Sequence, residues 1–167
     1  FEKKSYKKLK FTPIFLVGFP RSGTTLLDTA LRGHPKLSVA EEFNVMSECR
    51  GKLNPDFLIN DIDSLERACI EELRSEYVLK MCSLIEETPN EFLIDKYPLN
   101  IVHIPLICNM FPESKFILAV RHPLDVALSC YMQNFKINGA MANLLKLDST
   151  YEMYDLAMSF FDACTKR

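Results

Sequence analysis

The chain has 167 residues, of which 48% are hydrophobic and 25% are charged, and its formal net charge at pH 7 is -2. This length and balance predict one globular domain with a hydrophobic core and exclude a disordered protein. The slightly acidic charge excludes the basic surface typical of nucleic-acid-binding proteins, so an anionic ligand would have to be bound by a local group of residues. No apolar stretch approaches the roughly 18 residues that span a bilayer.

Six cysteines are spread along the chain, without a C-x-x-C pair and without a histidine partner at zinc spacing. We therefore predict reduced thiols and no metal site. Five lysines fall within residues 1–10, which we interpret as a basic linker before a domain that spans residues 11–167. Because the sequence begins without Met and stops directly after a helical pattern, we expect it to be part of a longer protein.

Short apolar runs alternate with helical patterns from Phe11 onward. The patterns predict buried strands at residues 14–17, 37–40, 92–94 and 116–120, and helices at residues 24–32, 64–87, 101–110 and 123–135. This alternation indicates an α/β fold of three layers, with a central parallel sheet flanked by helices and incomplete at its C-terminal end. Ligands bind beyond the carboxyl ends of the strands in such folds. The candidate site residues are therefore those that follow each strand.

The segment from Gly18 to Gly23 has the G-x-x-x-x-G spacing of a P-loop and lies between a predicted strand and a predicted helix. Backbone N–H groups of Gly23, Thr24 and Thr25 would point at one anion, and the hydroxyl groups of Ser22 and both threonines would add donors. A Walker A loop has lysine at the position of Thr24, whereas the cation here is Arg21, inside the loop. This departure favours a nucleotide with a 5′-phosphate and a transferable group other than the γ-phosphate.

Two motifs resemble those of sulfotransferases, which move a sulfonyl group from 3′-phosphoadenosine 5′-phosphosulfate (PAPS) to a hydroxyl acceptor. The run from Pro20 to Leu27, PRSGTTLL, is similar to the 5′-phosphosulfate-binding loop of that family, and the run from Phe116 to Ser129 is similar to its 3′-phosphate motif. The resemblance implies a P-loop-type fold, 3′,5′-ADP as product and no metal. It assigns nucleotide binding to the following residues: Arg21, Ser22, Gly23, Thr24, Thr25, Arg121 and Ser129.

Within the family, the chain is most similar to tyrosyl-protein sulfotransferases and to bacterial sulfotransferases that carry tetratricopeptide repeats. The similarity covers residues 21–42 and Asp95-Lys96-Tyr97-Pro98. It implies a hydroxyl acceptor, whether protein tyrosine, a small phenol or a glycan, and a tetratricopeptide-repeat region upstream. The bacterial enzymes imply a cytoplasmic location and the animal enzymes the Golgi lumen. The residues around the acidic pair, Ala40 and Phe43-Asn44, depart from the animal enzymes, so the acceptor stays open.

Sulfonyl transfer needs a base for the acceptor hydroxyl and cations for the charge that develops on the leaving phosphate. By position in the family pattern, Glu42 is the predicted base and Lys96 an active-site lysine that acts with Arg21. Glu41 is the next candidate for the base, and repulsion within the acidic pair is expected to raise the pKa of one carboxyl group. The histidines are predicted to be structural: His34, His103 and His122.

Two other readings remain at this point. Residues 92–95 can be read as a Walker B strand whose Asp95 holds Mg²⁺, which would make the protein a P-loop kinase or NTPase. The missing P-loop lysine counts against that reading. The second alternative is a nucleotide-binding module without catalytic activity, or a fragment that does not fold alone.

Overall fold

The computed structural model describes residues 6, 9, 11–56, 59–85, 91–136 and 138–166. Most of the predicted linker, residues 1–10, lies outside the described residues. Tyr6 is one of the described linker residues. Its hydroxyl group donates a hydrogen bond to Asn109 at 3.5 Å, and the Arg74 guanidinium lies over its ring. The described part of the linker therefore contacts the domain.

The described residues form four strands and six helices, and the four predicted strands and four predicted helices appear among them in the expected order. The strands are β1 (Thr12–Gly18), β2 (Leu37–Glu41), β3 (Phe92–Lys96) and β4 (Lys115–Ala119). The helices are α1 (Thr24–Arg32), α2 (Val45–Gly51), α3 (Arg67–Leu84), α4 (Ile104–Met110), α5 (Pro123–Tyr131) and α6 (Leu147–Thr165). Short 3₁₀ helices occupy Ile59–Ser64, Pro98–His103 and Met141–Leu145.

The four strands form one parallel sheet in the order β2-β3-β1-β4. Leu16 lies opposite Lys96, and Gly18 lies opposite Ala119. The carboxyl ends of all four strands therefore meet at one edge, as the sequence predicted. The predicted fold class, a parallel sheet flanked by helices, is confirmed.

Alternate residues of the central strands pack on opposite faces of the sheet, because side chains along a strand alternate in direction. Phe15 belongs to the large core that includes Tyr77 of α3 and Phe111, whereas Leu16 belongs to a smaller cluster with Ile94 and Ala119. The partly buried Leu31 of α1 packs against that smaller cluster. On β3, the same alternation places Asp95 against Tyr77 and Lys96 on the α1 side. Two adjacent charged residues are therefore buried in different environments.

The structure differs from the predicted elements in several places. The segment predicted as one helix at residues 101–110 is a 3₁₀ helix up to His103 and an α-helix from Ile104. Helix α2 was not predicted, and α6 was anticipated only as a terminal helical pattern. The helix predicted at residues 64–87 begins at Arg67 and ends at Leu84, with residues 86 and 87 outside the described residues. Helix α5 ends at Tyr131 rather than near Phe135, because its last turn tightens: the N–H of Gln133 donates to the carbonyl of Cys130.

Two global expectations can also be compared with the structure. All six cysteines are free, and Cys49 and Cys130 are buried. Within the described ranges, no helix is long and apolar enough to cross a membrane.

Candidate active site

The loop between β1 and α1 is held in a strained, close-packed conformation. Arg21 and Gly23 adopt left-handed backbone angles, with φ of 70° and 94°, and the N–H of Ser22 donates to the carbonyl of Phe19 at 3.1 Å. A Cβ atom on Gly18 would lie 2.9 Å from the carbonyl oxygen of Ala119. Glycine at 18 thus allows β1 and β4 to approach, and glycine at 23 adopts without penalty an angle that other residues rarely adopt.

The loop opens directly onto the N-terminus of α1. The helix begins at Thr24. The N–H groups of Leu26 and Leu27 donate to the carbonyl of Gly23, so the N–H groups of Thr24 and Thr25 are the ones left without an acceptor in the helix. Gly23, Thr24 and Thr25 line the neighbouring cleft, and the first turn of α1 contains no acidic residue. The positive end of the helix dipole therefore faces the cleft uncompensated, which is the geometry of an anion-binding site.

Helix α5 contacts the loop of residues 18–23 between β1 and α1, called the phosphate loop below, through two side chains. The Nε of Arg21 donates to Oγ of Ser129 at 3.1 Å, and the Cys130 thiol donates to the carbonyl of Pro20 at 3.2 Å. Burial raises the pKa of Cys130 to about 11, so the thiol keeps the proton that it donates. The two motifs that the sequence analysis assigned to opposite ends of the nucleotide are therefore in direct contact.

Arg121 lies just beyond the end of β4 and lines the same cleft. Its carbonyl oxygen accepts a hydrogen bond of 3.5 Å from the hydroxyl group of Tyr154, on α6, whose ring packs edge-on against Phe19 with ring centroids 5.2 Å apart. The Arg121 guanidinium lies 3.9 Å from Asp125 and is half exposed, so it can bind an anion in the cleft. Helix α6 thus supports both the phosphate loop and the backbone of Arg121.

Glu42 follows the end of β2 and also lines the cleft. Its φ of 58° is left-handed, and its N–H donates to the carbonyl of Lys96 at 2.8 Å. A non-glycine residue in this conformation costs free energy and is often found at functional sites. The two described non-glycine residues with positive φ are Arg21 and Glu42, both of which the sequence analysis placed at the catalytic centre.

The Lys96 side chain is 0% exposed and lies behind the acidic pair. Its ammonium group is 3.0 Å from a carboxylate oxygen of Glu41, 2.9 Å from one of Glu42 and 3.9 Å from one of Asp28. The Lys96 ammonium thus contacts the carboxylates rather than the open cleft. Its assignment to the leaving phosphate stays a prediction.

Glu41 and Glu42 share Lys96 but differ in their other partners. Glu41 also pairs with Arg32 at 3.1 Å, and the hydrogen bond from Lys96 is the main reason why the pKa of Glu41 lies below its usual value. The expected repulsion therefore does not raise the pKa of Glu41, because the cations Lys96 and Arg32 outweigh the repulsion from Glu42. Since Glu42 is the member of the pair that lines the cleft, the geometry favours Glu42 over Glu41 as a base.

The remaining titratable residues weighed from the sequence lie in structural positions. Nδ1 of His34 accepts a hydrogen bond from the N–H of Lys36, and His122 is the N-cap residue of α5. His103 lies 2.9 Å from the Ser47 hydroxyl, and burial lowers its pKa to about 4.

Asp95 is fully buried, and one of its carboxylate oxygens accepts a hydrogen bond of 3.0 Å from the Tyr77 hydroxyl. It faces α3 rather than the phosphate loop, so it does not occupy the place of a Walker B aspartate. Among the described residues, no cluster of histidine, cysteine, aspartate and glutamate could hold a metal ion.

The loop residues Arg21, Gly23, Thr24 and Thr25 converge with Glu42 and Arg121 on a cleft of about 540 Å³. Three cations and one carboxylate line it: Arg21, Arg121, Lys136 and Glu42. Ser22, which is buried within the loop, and Ser129 are not among the described residues that line the cleft, but Ser129 contacts the cleft side chain Arg21. The cleft wall thus combines positively charged side chains from the loop, from the end of β4 and from the segment after α5 with the carboxylate of Glu42.

Part of the cleft wall was not predicted from the sequence. It is formed by Tyr97, Pro98, Leu99, Gln133, Phe135, Lys136, Asn138 and Met141. The first three follow β3, so the rule of strand carboxyl ends could have found them. The others lie where the helical pattern was expected to continue to about residue 135 or where no element was predicted. No local signal identified that stretch as part of the site.

The sequence matches the profile of the Sulfotransferase family over residues 13–166. Similar curated proteins include an uncharacterized protein of Aquifex aeolicus, 32% identical over 74% of this chain and 17% of that protein. Protein-tyrosine sulfotransferase of Drosophila melanogaster is 30% identical over 75% of this chain and 26% of its own length. Protein-tyrosine sulfotransferase 2 of Gallus gallus is 28% identical over 70% of this chain and 33% of its own length.

Solved structures show the same fold. The sulfotransferase domain from the curacin biosynthetic pathway aligns with a TM-score of 0.52 at 21% identity, over 93% of this chain and 63% of that domain. The domain from the Synechococcus PCC 7002 olefin synthase aligns with a TM-score of 0.50 at 23% identity, over 92% of this chain and 64% of that domain. By contrast, the chain spans a third or less of the length of each curated relative named above. Because the profile match extends over almost the whole chain, this chain belongs to the Sulfotransferase family.

Proposed function

We propose that the protein transfers a sulfonyl group from PAPS to a hydroxyl acceptor. The observation that carries the proposal is the convergence of the phosphate loop, Arg121 and Glu42 on one cleft. An anion site next to a carboxylate is what the transfer of a charged group to a hydroxyl requires. Family membership supports the same reaction class.

The nucleotide would bind through two anion sites that α5 connects. The N-terminus of α1, with Gly23, Thr24 and Thr25, would hold the 5′-phosphosulfate. Arg121 and Ser129 would hold the 3′-phosphate, the group by which PAPS differs from adenosine 5′-phosphosulfate. The contact between Arg21 and Ser129 supports this arrangement, since it brings the two sites close enough for one nucleotide.

During transfer, the bond between sulfur and the bridging phosphate oxygen breaks, and a bond from sulfur to the acceptor oxygen forms. The Glu42 carboxylate would take the proton of the acceptor hydroxyl, which makes the acceptor oxygen a better nucleophile. Arg21 would stabilise the charge that develops on the leaving 3′,5′-ADP phosphate. The reaction as written is balanced without a metal ion or a redox partner.

Protein tyrosine is the acceptor that we favour, because two relatives are named protein-tyrosine sulfotransferases. A phenolic ring would find apolar neighbours in the cleft wall next to Glu42, namely Pro98, Leu99 and Phe135. A small phenol or a glycan is the alternative acceptor. The kinase or NTPase reading is not favoured, because Asp95 faces the core and the loop has no lysine at Thr24.

The test is incubation of the full-length protein with ³⁵S-labelled PAPS and with tyrosine peptides, simple phenols or glycans. We expect labelled product with one acceptor class and release of 3′,5′-ADP. Thermal shift supplies an independent measurement: 3′,5′-ADP without metal should raise the melting temperature, whereas ATP with Mg²⁺ should not. Stabilisation by ATP with Mg²⁺ alone, with no labelled product, would instead support a kinase or NTPase.

A further inference from the structure

A network of charged side chains, of which Asp28 and Lys96 are buried, lies beside Glu42. Asp28, on α1, is 1% exposed and binds the Arg32 guanidinium with both oxygens, at 2.6 and 3.2 Å. One of these oxygens is 3.9 Å from the Lys96 ammonium. Arg32 and Lys96 each also bind Glu41, so these four side chains form a closed ring.

Glu42 is attached to this ring through Lys96 alone among its described ion pairs, at 2.9 Å. The backbone reinforces the attachment, because the N–H of Glu42 donates to the carbonyl of Lys96. Side chains that hold the Lys96 ammonium in place therefore also constrain the position of the Glu42 carboxylate. Asp28 approaches that ammonium from α1, whereas the two glutamates approach it from the end of β2.

A buried carboxylate without compensating partners is costly, so Asp28 must be paired for the fold to tolerate it. An apolar residue would fill the same space without that requirement. The position of Asp28 is therefore informative: its charge lies next to Lys96, the buried cation that contacts the predicted base.

We infer that Asp28 is a positioning residue for sulfonyl transfer: with Arg32 it holds the Lys96 ammonium, and Lys96 holds the Glu42 carboxylate at the cleft wall. This inference rests on the proposed function. Without the charge of Asp28, the ammonium group would be shared by Glu41 and Glu42 alone and would move toward them. The reaction is sensitive to that movement because a displacement of a reacting group by about 1 Å can cost two orders of magnitude in rate.

The test is a double-mutant cycle in the full-length protein, with Asp28→Asn and Glu42→Gln alone and combined. Asp28→Asn keeps the size of the side chain and removes its charge. We expect Asp28→Asn to lower kcat at least about tenfold, with an unchanged KM for PAPS and unchanged affinity for 3′,5′-ADP. In the Glu42→Gln background it should cause little further loss, because Asp28 acts through Glu42.

The matched control is Glu71→Gln, which removes a carboxylate from another i, i+4 pair with arginine, Arg67–Glu71 on α3. It should leave kcat, KM and 3′,5′-ADP affinity unchanged. Arg32→Gln is a second test at a half-exposed side chain, and it should show the same lack of additivity with Glu42→Gln.

Four results would overturn the inference. The first is an unchanged kcat in Asp28→Asn, and the second is an equal loss of kcat from Asp28→Asn with and without Glu42→Gln. The third is loss of 3′,5′-ADP binding by Asp28→Asn. The fourth is failure of Asp28→Asn to fold, together with an additive effect of Arg32→Gln and Glu42→Gln on kcat. A wild-type protein that transfers no sulfonyl group would overturn the proposed function and this inference together. An active wild type with additive losses would overturn this inference alone.

Discussion

Nε of Arg21 lies 3.1 Å from Oγ of Ser129, across 108 positions of sequence. Arg21 belongs to the loop after β1 and Ser129 to the helix after β4, and these two strands are neighbours in the sheet. The contact brings the two predicted phosphate motifs together. Arg21 lines the cleft and Ser129 contacts Arg21, so changes on either motif should affect the same binding event.

Arg121→Ala should remove most of the preference for 3′,5′-ADP over 5′-AMP. We expect wild-type protein to bind 3′,5′-ADP much more tightly, because Arg121 is proposed to supply a charged hydrogen bond to the 3′-phosphate. Loss of such a partner costs roughly 1.5 to 3 kcal/mol of binding free energy. Isothermal titration calorimetry with both nucleotides measures the difference. Arg67→Ala, on α3, is the control, and equal wild-type affinities for the two nucleotides would contradict the site.

Gly23→Val should abolish nucleotide binding, whereas Ser22→Ala should only weaken it. The φ of 94° at Gly23 is unfavourable for any residue with a Cβ, so valine would reshape the loop and turn its N–H groups away from the anion. Removal of the Ser22 hydroxyl leaves those N–H donors in place. Binding of 3′,5′-ADP followed by thermal shift is the measurement.

Gly51→Val is the matched control for the loop variant. Gly51 lies at the end of α2 with open space around it and no positive φ, so its replacement should leave nucleotide binding intact. If Gly23→Val bound 3′,5′-ADP as tightly as this control, the loop would be a connecting turn rather than an anion site.

Glu42→Gln should bind PAPS almost normally but transfer the sulfonyl group about a hundredfold more slowly, which is within the usual range for loss of a general base. Glu41→Gln is the comparison variant: it removes the neighbouring carboxylate, which pairs with Lys96 and Arg32, and it should slow transfer less than Glu42→Gln does. Single-turnover rates with ³⁵S-labelled PAPS separate the chemical step from binding. Full activity in Glu42→Gln together with a large loss in Glu41→Gln would assign the base to Glu41.

The acceptor can separate base catalysis from charge stabilisation. An acidic phenol needs little help to lose its proton, so the defect of Glu42→Gln should shrink with that acceptor. The defect of Arg21→Ala should persist, because the developing charge on the leaving phosphate is the same for every acceptor. Rates measured across phenols of decreasing pKa test this contrast, and parallel slopes for the two variants would contradict the assigned roles.

Asp95→Asn should make the protein more stable at and above neutral pH. Burial raises the pKa of Asp95 to about 7, from an ordinary value of 3.8. The folded protein therefore holds this proton more tightly than the unfolded chain does. The stability that protonated Asp95 contributes is complete below about pH 4 and is lost as the pH rises through about 7.

The measurement is the free energy of unfolding of both proteins from pH 4 to pH 8. The difference between Asp95→Asn and wild type should grow with pH and reach the order of a few kcal/mol. Comparison of the two proteins cancels the opposite effect of His103, whose lowered pKa makes the fold lose stability as the pH falls from 6.5 toward 4. Asp155→Asn, at an exposed position on α6, is the control variant. A flat difference for Asp95→Asn would contradict the raised pKa.

The sequence by itself determined the fold class and the phosphate loop. Apolar runs such as Phe15 to Val17 predict buried strands because only a sheet covered on both faces tolerates them. The G-x-x-x-x-G spacing and the helix after it are local features, so Arg21 to Thr25 could be assigned without tertiary information. Arg121 followed from the same reasoning, since it comes directly after a buried strand.

Only the tertiary structure decided how these pieces meet. The strand order is one example: β3 lies between β2 and β1, so Glu42 reaches the cleft from two strands away from the phosphate loop. Likewise, the alternation along β3 is readable from sequence, but which face would bury Asp95 and which Lys96 depends on α3 and α1. The Asp28 side chain, which no motif marks, meets Lys96 through long-range packing, and pattern alone cannot predict such contacts because the paired residues are far apart in the chain.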